Sequence, residues 1–326
     1  MKITLAHGSG GKSTSDLIDK IFAKHFSNPV LNMMEDSAVV EGSKKIAVTT
    51  DSFVVAPLFF KGGDIGRLSV CGTVNDLLMR GAKPKYITSA FILEEGADTD
   101  DIEKIVKSMA KTAKEAGVTV IAGDTKVIEG KGGVYINTTG VGFVDDNTDI
   151  KSSNIVPGDC LIVNGTMGDH HAAILSARMG IENNIKSDNA PLVEIVHALT
   201  EGGIDIHSMR DITRGGLATV LNELADASEV NIEIYEDKIP ASDEVMAFSK
   251  ILGLNLLNMG NEGKLALLVP ENQAEKAVNI IKKCRYGENA EIIGKAVDGD
   301  GVTLVTSLGG RRKVSVLIGE GLPRIC

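Results

Sequence analysis

The sequence predicts a two-domain α/β (α+β) protein, and three observations carry that prediction. Short apolar, β-branched runs alternate with helix-period stretches in both halves of the chain, with a few strand-to-strand neighbours. A polar stretch containing Gly and Pro, 145–159, separates the halves. At 326 residues, 43% of them hydrophobic, the chain is long for one average domain and can fill two cores.

The first fourteen residues, MKITLAHGSGGKST, set Gly8, Gly10 and Gly11 around Ser9, ahead of Lys12, Ser13 and Thr14. Backbone N–H groups of such a turn can approach phosphate with no Cβ in the way. The Walker spacing is absent, so the segment reads equally as a lid over a nucleotide or as a flexible terminus. A helix is expected over 16–26 and a strand over 46–52. Asp36 and Asp51 stand at the edges of apolar runs, where acids also serve as turn formers. Residues 64–79 read as a helix containing Asn75-Asp76, followed by a break at Gly81 and Pro84. A strand at 86–93, an amphipathic helix over 98–116 closing at Gly117, and a strand at 118–122 come next. That strand leads into Gly123-Asp124-Thr125-Lys126, and 132–144 alternates as another strand. Asp36, Asp51, Asp76 and Asp124 thus fall at element ends or in a helix. Hard carboxylate oxygens of this kind suit Mg²⁺ shared with nucleotide phosphates.

The second half opens with a strand at 160–163 and the turn Gly165-Thr-Met-Gly168. His170 and His171 are adjacent, point apart on a helix, and read as a helix start in 169–179 rather than a metal pair. A helix at 190–201 follows. Arg214-Gly215-Gly216 turns a strand into a helix over 215–228, either an anion site at a helix N-terminus or a tight turn needing glycine. A strand at 230–235 and a helix at 243–253 lead to Gly260-Asn-Glu262-Gly263, where a carboxylate can face a cleft. A strand at 265–269, a helix at 273–284 and a β segment over 291–317 complete the domain. The chain ends Gly321-Leu-Pro-Arg-Ile-Cys326, a thiol on a short movable arm or a frayed tail.

Composition narrows the function classes. With 34 basic and 44 acidic residues the net charge is −10, against a general nucleic-acid binder. The four cysteines are scattered with no C-x-x-C pair, against a zinc ribbon or a disulfide framework, and Cys71 and Cys160 are expected in the core. No apolar run approaches a membrane span and no signal peptide is visible, so a cytoplasmic protein is expected.

His7-Gly-Ser-Gly-Gly11-Lys12, Glu35-Asp36-Ser-Ala38, Thr50-Asp51-Ser52, Val74-Asn75-Asp76-Leu77, Gly123-Asp124-Thr125-Lys126, Asp211-Ile-Thr-Arg-Gly-Gly-Leu217 and Gly260-Asn-Glu-Gly263 occur in this order. As an ordered set, covering essentially the whole chain, they resemble the aminoimidazole ribonucleotide synthase-related superfamily of ATP-using enzymes. Ser37 departs from that pattern, standing where a small apolar residue is usual, which puts Glu35 in doubt as a ligand. The ending Pro323-Arg-Ile-Cys326 resembles one branch, the carbamoyl dehydratases of hydrogenase maturation. Selenophosphate synthetases carry a reactive Cys beside the N-terminal lysine loop, and Gly8 to Lys12 has none. A non-catalytic thiol carrier would have no use for the acidic set.

The resemblance implies an N-terminal ATP-binding and dimerisation domain (1–148), whose sheet pairs across a homodimer into a barrel. It further implies a C-terminal domain (149–317) and a mobile tail (318–326) ending in a reactive Cys. MgATP would sit between the domains, with Asp36, Asp51, Asp76 and Asp124 at the metal and phosphate positions. Asn75, Lys12, Gly10, Gly11, Arg214 and Gly215 are the further ATP-binding candidates. Cys326 would receive a carbamoyl group from the carbamoyltransferase HypF. The thiocarboxamide would then be dehydrated to thiocyanate with ATP, Glu262 acting as general base and Lys126 offsetting charge. The cyanide would pass to iron on the HypC–HypD complex for [NiFe]-hydrogenase.

Overall fold

The structure, a computed structural model, describes residues 1–8, 12–34 and 37–317. The N-terminal helix begins at Lys12 rather than 16, as α1 (Lys12–Leu17), where Lys12 and Lys20 both reach Asp16 one turn away. It continues through a π-helical turn (Ile18–Ala23) into α2 (Lys24–Phe26). Then come β1 (Ile46–Phe53), a small ribbon of β2 (Phe59–Phe60) and β3 (Gly63–Asp64), and α3 (Ile65–Leu78). Asp64 caps α3 by accepting from the N–H groups of Gly66 and Arg67. β4 (Lys83–Glu94), α4 (Thr99–Ala116), β5 (Thr119–Ile128) and β6 (Val134–Phe143) complete the first half. Asp98 caps α4, and Gly117 ends it in the left-handed region at φ 68°.

Four strands form one sheet in the order β1-β6-β4-β5, so β1 and β5 are its opposite edges. β4 starts three residues earlier than expected. Pro84 is tolerated because at that point β4 pairs only with β6, and β5 joins from Tyr86. β5 also runs on past Ala122 to Ile128, which puts Asp124 and Lys126 inside an edge strand rather than after one. Burial alternates strictly along β6, and along β4 from Tyr86 onward, past the register shift between Pro84 and Tyr86. One face carries Phe53, Ile87, Phe91, Leu93 and Ile136 against α3 and α4, while Ile46, Val48, Ile92 and Ile128 on the other face are exposed.

The second half comprises β7 (Asp159–Val163), α5 (Asp169–Met179), α6 (Val193–Glu201), β8 (Ser208–Asp211), α7 (Gly216–Ser228), β9 (Asn231–Tyr235) and α8 (Asp243–Leu252). β10 (Leu265–Pro270), α9 (Glu271–Ile281), β11 (Glu291–Val297), β12 (Gly301–Val305) and β13 (Arg311–Lys313) follow. α6 starts after Pro191, later than expected, and α9 starts directly behind Pro270 and ends at Ile281. The expected terminal β segment is three strands of a seven-stranded sheet, ordered β13-β12-β9-β11-β7-β10-β8. β7 and β10 are buried on both faces. Leu161, Val163, Ala266 and Leu268 pack with α7, and Ile162, Leu265, Leu267 and Val269 face α6 and α9.

α3 has no polar face: twelve of its fourteen residues are buried. It lies between the four-stranded sheet and the second half, and Gly140 lets it approach β6. A Cβ there would sit 2.6 Å from Thr73 Cγ2. The core around α3 and α4 runs without interruption into that of α6 and α9. Cys71 is in that core with its thiol pushed up by burial, whereas Cys160 is only partly buried. No helix among the described residues is long and apolar enough to cross a membrane.

Candidate active site

The residues singled out in the sequence fall into two groups. The first lies at the seam between the halves. Asp51 projects from the helix-facing side of β1, in register with Thr138. Gly72 of α3 leaves room for the neighbouring Phe53: a Cβ at that position would stand 2.9 Å from Phe53 Cζ, and 3.6 Å from Asp51 Oδ2 in ordinary contact. One turn further along α3, Asp76 accepts a 2.7 Å hydrogen bond from Thr49 Oγ1, two residues before Asp51 on the same face of β1. From the other domain, Asp211 ends β8 in register with Leu265. The loop carrying Glu262 is tied to it, since Asn261 N–H donates to Ile212 O and Ile212 N–H donates to Lys264 O. Gly215 and Gly216, at φ 77° and 64°, turn the chain into α7. A Cβ on Gly216 would lie 2.6 Å from Leu257 O, so the tight turn requires glycine, and it leaves Arg214 at the surface beside the acids.

These acids disturb one another. Burial, then the charges of Asp76 and Asp51, push Asp211 up to about 7 against the pull of Arg210. Burial raises Asp51 and Asp76 as well, with Arg214 acting in the opposite direction on both. Glu262, 3% exposed, is raised well above the usual carboxylate range by burial, followed by Asp211, Asp188 and Asp51. Oxygen-donor acids whose charged forms are disfavoured together suit a hard divalent cation. Among the described residues no three His, Cys, Asp or Glu side chains converge closely enough to hold an ion alone. The seam acids are thus an open set of oxygen donors rather than a closed metal site; any ion held there would need further ligands, of the kind phosphate oxygens supply.

The second group lies on β5, three strands away and about 14 Å across the sheet. Asp124 and Lys126 are paired with each other at 2.8 Å and largely exposed. The hydrogen bond from Lys126 lowers the Asp124 carboxyl. In register they share a face with Ala90 and Ile92, opposite to that of Asp51. A cavity of about 390 Å³ is lined by Gly8, Thr14, Met34, Ser37 and Ala38 and by Val120 to Lys126, Asp124 included. Lys12 is exposed and engaged by Asp16 at 3.2 Å. Asp36, Gly10, Gly11 and Cys326 lie outside the described residues, as does the whole tail from 318. Within this chain Asp124 and Lys126 therefore do not reach the seam.

Asn75 takes a place of its own. It is buried, and its amide is spent on backbone groups of the second half. Two seam residues had no role assigned from sequence: Asp211, visible there only as part of a motif, and Asp188, in a loop with no motif. The histidine pair opens α5 as expected, and burial holds His171 down to about 4.

Residues 34–144 match the family described as AIR synthase related protein, N-terminal domain, and residues 156–307 match the corresponding C-terminal domain. The carbamoyl dehydratase HypE of Rhizobium leguminosarum is 45% identical over 100% of this chain and 95% of its own. The chain belongs to the HypE family. A crystal structure of the hydrogenase maturation protein HypE in complex with ATP superposes with a TM-score of 0.95 at 42% identity, covering 99% of both chains. A HypE in a HypE–HypF complex matches at 47% identity and a TM-score of 0.81, covering 92% of this chain and 99% of that one. The two-domain α/β architecture is thereby that of the family. Thiamine-monophosphate kinase from Stenotrophomonas maltophilia, at 22% identity, shares the fold.

Proposed function

We propose that this chain is an ATP-dependent carbamoyl dehydratase acting on its own C-terminal Cys326, in the maturation of [NiFe]-hydrogenase. The observation that carries the reading is Glu262, a buried carboxyl held well above the usual carboxylate range by burial within an acidic seam, in a chain of the HypE family. Dehydrating R–S–C(=O)–NH₂ requires the oxygen to leave, and hydroxide leaves poorly. Attack of the carboxamide oxygen on the γ-phosphorus of ATP forms the O–P bond and releases ADP. Loss of that oxygen as phosphate, with both N–H protons removed, leaves R–S–C≡N. Glu262 takes a nitrogen proton, a task that favours a pKa near the working pH. Asp51 and Asp76, with Asp36 and Asp124, hold Mg²⁺ and the phosphates; the bound ion supplies charge neutralisation. Arg214, Gly215, Lys12, Gly10 and Gly11 contact phosphate, and Lys126 offsets charge on the transferring group.

A second copy of the chain explains the split between the two groups. The face of the four-stranded sheet away from the helices exposes Ile46, Val48, Ile92 and Ile128. Closing that face against its counterpart in a homodimer buries these side chains as a barrel, and it offers a route for Asp124 and Lys126 of one copy to reach the seam of the other. HypF supplies the carbamoyl group and the HypC–HypD complex takes the cyanide, all in the cytoplasm.

The test is intact mass after incubation with HypF, its substrates and then MgATP. A gain of one carbamoyl group followed by loss of one water, both absent in Cys326→Ala, is the expected outcome. An unmodified Cys326 under these conditions rejects the reading.

A further inference from the structure

Asp76 and Glu262 come from different domains, and the side chain that links them is Asn75. Its Nδ2 donates to Ala190 O at 3.0 Å and, more weakly, to Glu262 O at 3.5 Å, while its Oδ1 accepts from Leu192 N–H at 2.9 Å. Both donor directions and one of the two acceptor directions of the amide are thus used on the backbone of the second half, at 2% exposure. Neighbouring helix positions point about 100° apart, so α3 presents Asp76 to Thr49 on β1 while Asn75 faces 190–192 and 262.

The loop it holds has little freedom elsewhere. Asp188 Oδ1 accepts from Glu262 N–H at 3.1 Å, and Ala190 N–H donates to Glu262 O. Asn164 donates to Gly263 O at 3.1 Å and accepts from Leu265 N–H at 2.8 Å. A Cβ on Gly263 would lie 2.0 Å from Asp188 O, so the two segments are in backbone contact. Buried Lys264 sits 3.4 Å from Asp188, offsetting the charge that this bracket brings beside Glu262.

We propose that Asn75 is a positioning residue that sets the Asp76 turn of α3 against the Glu262 backbone, and that it does not contact nucleotide. The inference rests on the function proposed for this chain, in which Glu262 and Asp76 serve the same bound ATP. A misplacement of about 1 Å at a reacting pair can cost about a hundredfold in rate, whereas ATP binding spread over many groups is little changed.

The experiment compares wild type, Asn75→Ala and Asn75→Asp in the full-length protein. It measures the MgATP dissociation constant by calorimetric titration, and the single-turnover dehydration rate of the carbamoylated protein at saturating MgATP by intact mass. Asn75→Asp keeps an acceptor for Leu192 N–H but sets a carboxylate oxygen against two carbonyls, and it decides between the outcomes where Asn75→Ala fails to fold. The expected result is a rate lowered about a hundredfold with the dissociation constant within about threefold of wild type. A dissociation constant raised about tenfold or more with an unchanged saturated rate makes Asn75 a nucleotide ligand and overturns the proposal, as does wild-type behaviour in both measurements. Failure of the underlying function is distinct, because the wild type itself then binds MgATP without dehydrating its carbamoyl group.

Discussion

Asp76 and Asp124 are the same residue type under opposite regimes. Asp76 is withdrawn from water next to Asp51, so its charged form is disfavoured. Asp124 stands on an edge strand with Lys126 hydrogen-bonded to it, so its charged form is favoured. At the seam, stability is given up to hold acids together. At the edge nothing is given up and nothing is preorganised. The contrast separates a part built in advance from a part that, in the function proposed here, works only when another surface arrives.

Replacing Glu262 by Gln tests the built part most severely. The amide keeps the shape but cannot accept a proton, and the dehydration rate is expected to fall about 10²- to 10⁴-fold with ATP binding retained, read by single-turnover mass analysis. Mixing Glu262→Gln with Lys126→Ala tests the arriving part. In a random mixture of dimers, each mixed pair has one site with both groups intact, so activity returns to about a quarter of wild type if the site is shared between copies. Two inactive proteins that stay inactive when mixed place both groups in one protomer.

The pH dependence of stability follows from Asp211. Its folded pKa of about 7 lies above the ordinary value of 3.8. Between those values the folded state binds the extra proton, so stability falls as pH rises through that window and the penalty is complete above it. Asp211→Asn removes the penalty, and its melting temperature without nucleotide or metal is expected to exceed wild type at pH 8 and to match it near pH 4. An Asp211→Asn protein less stable at pH 8 contradicts the buried, mutually repelling seam. Asp124→Asn gives the smallest change in stability. An exposed pair is worth about 0.2–1 kcal/mol, so the melting temperature barely moves while ATP-dependent turnover is lost.

What the sequence disclosed follows the range of the forces involved. The caps at Asp64 and Asp98 and the stop at Gly117 are local, and α3 and α4 are readable from them. The continuation of β5 through Gly123, Asp124 and Lys126 is not, because an edge strand accepts charges that break the apolar pattern. The acidic positions were readable only as a set of motifs in order. That Asp211 belongs with Asp51 and Asp76, and that Asn75 faces the other domain, depends on contacts between distant segments, which no local pattern encodes.

The burial of α3 on all sides also bears on how the chain comes apart. A helix packed into a core that runs on into the other half is expected to make the two halves one melting unit, with a single transition in calorimetry. Cut free at the polar stretch after residue 144, the first half would present the outward side of α3 to water as an adhesive stripe.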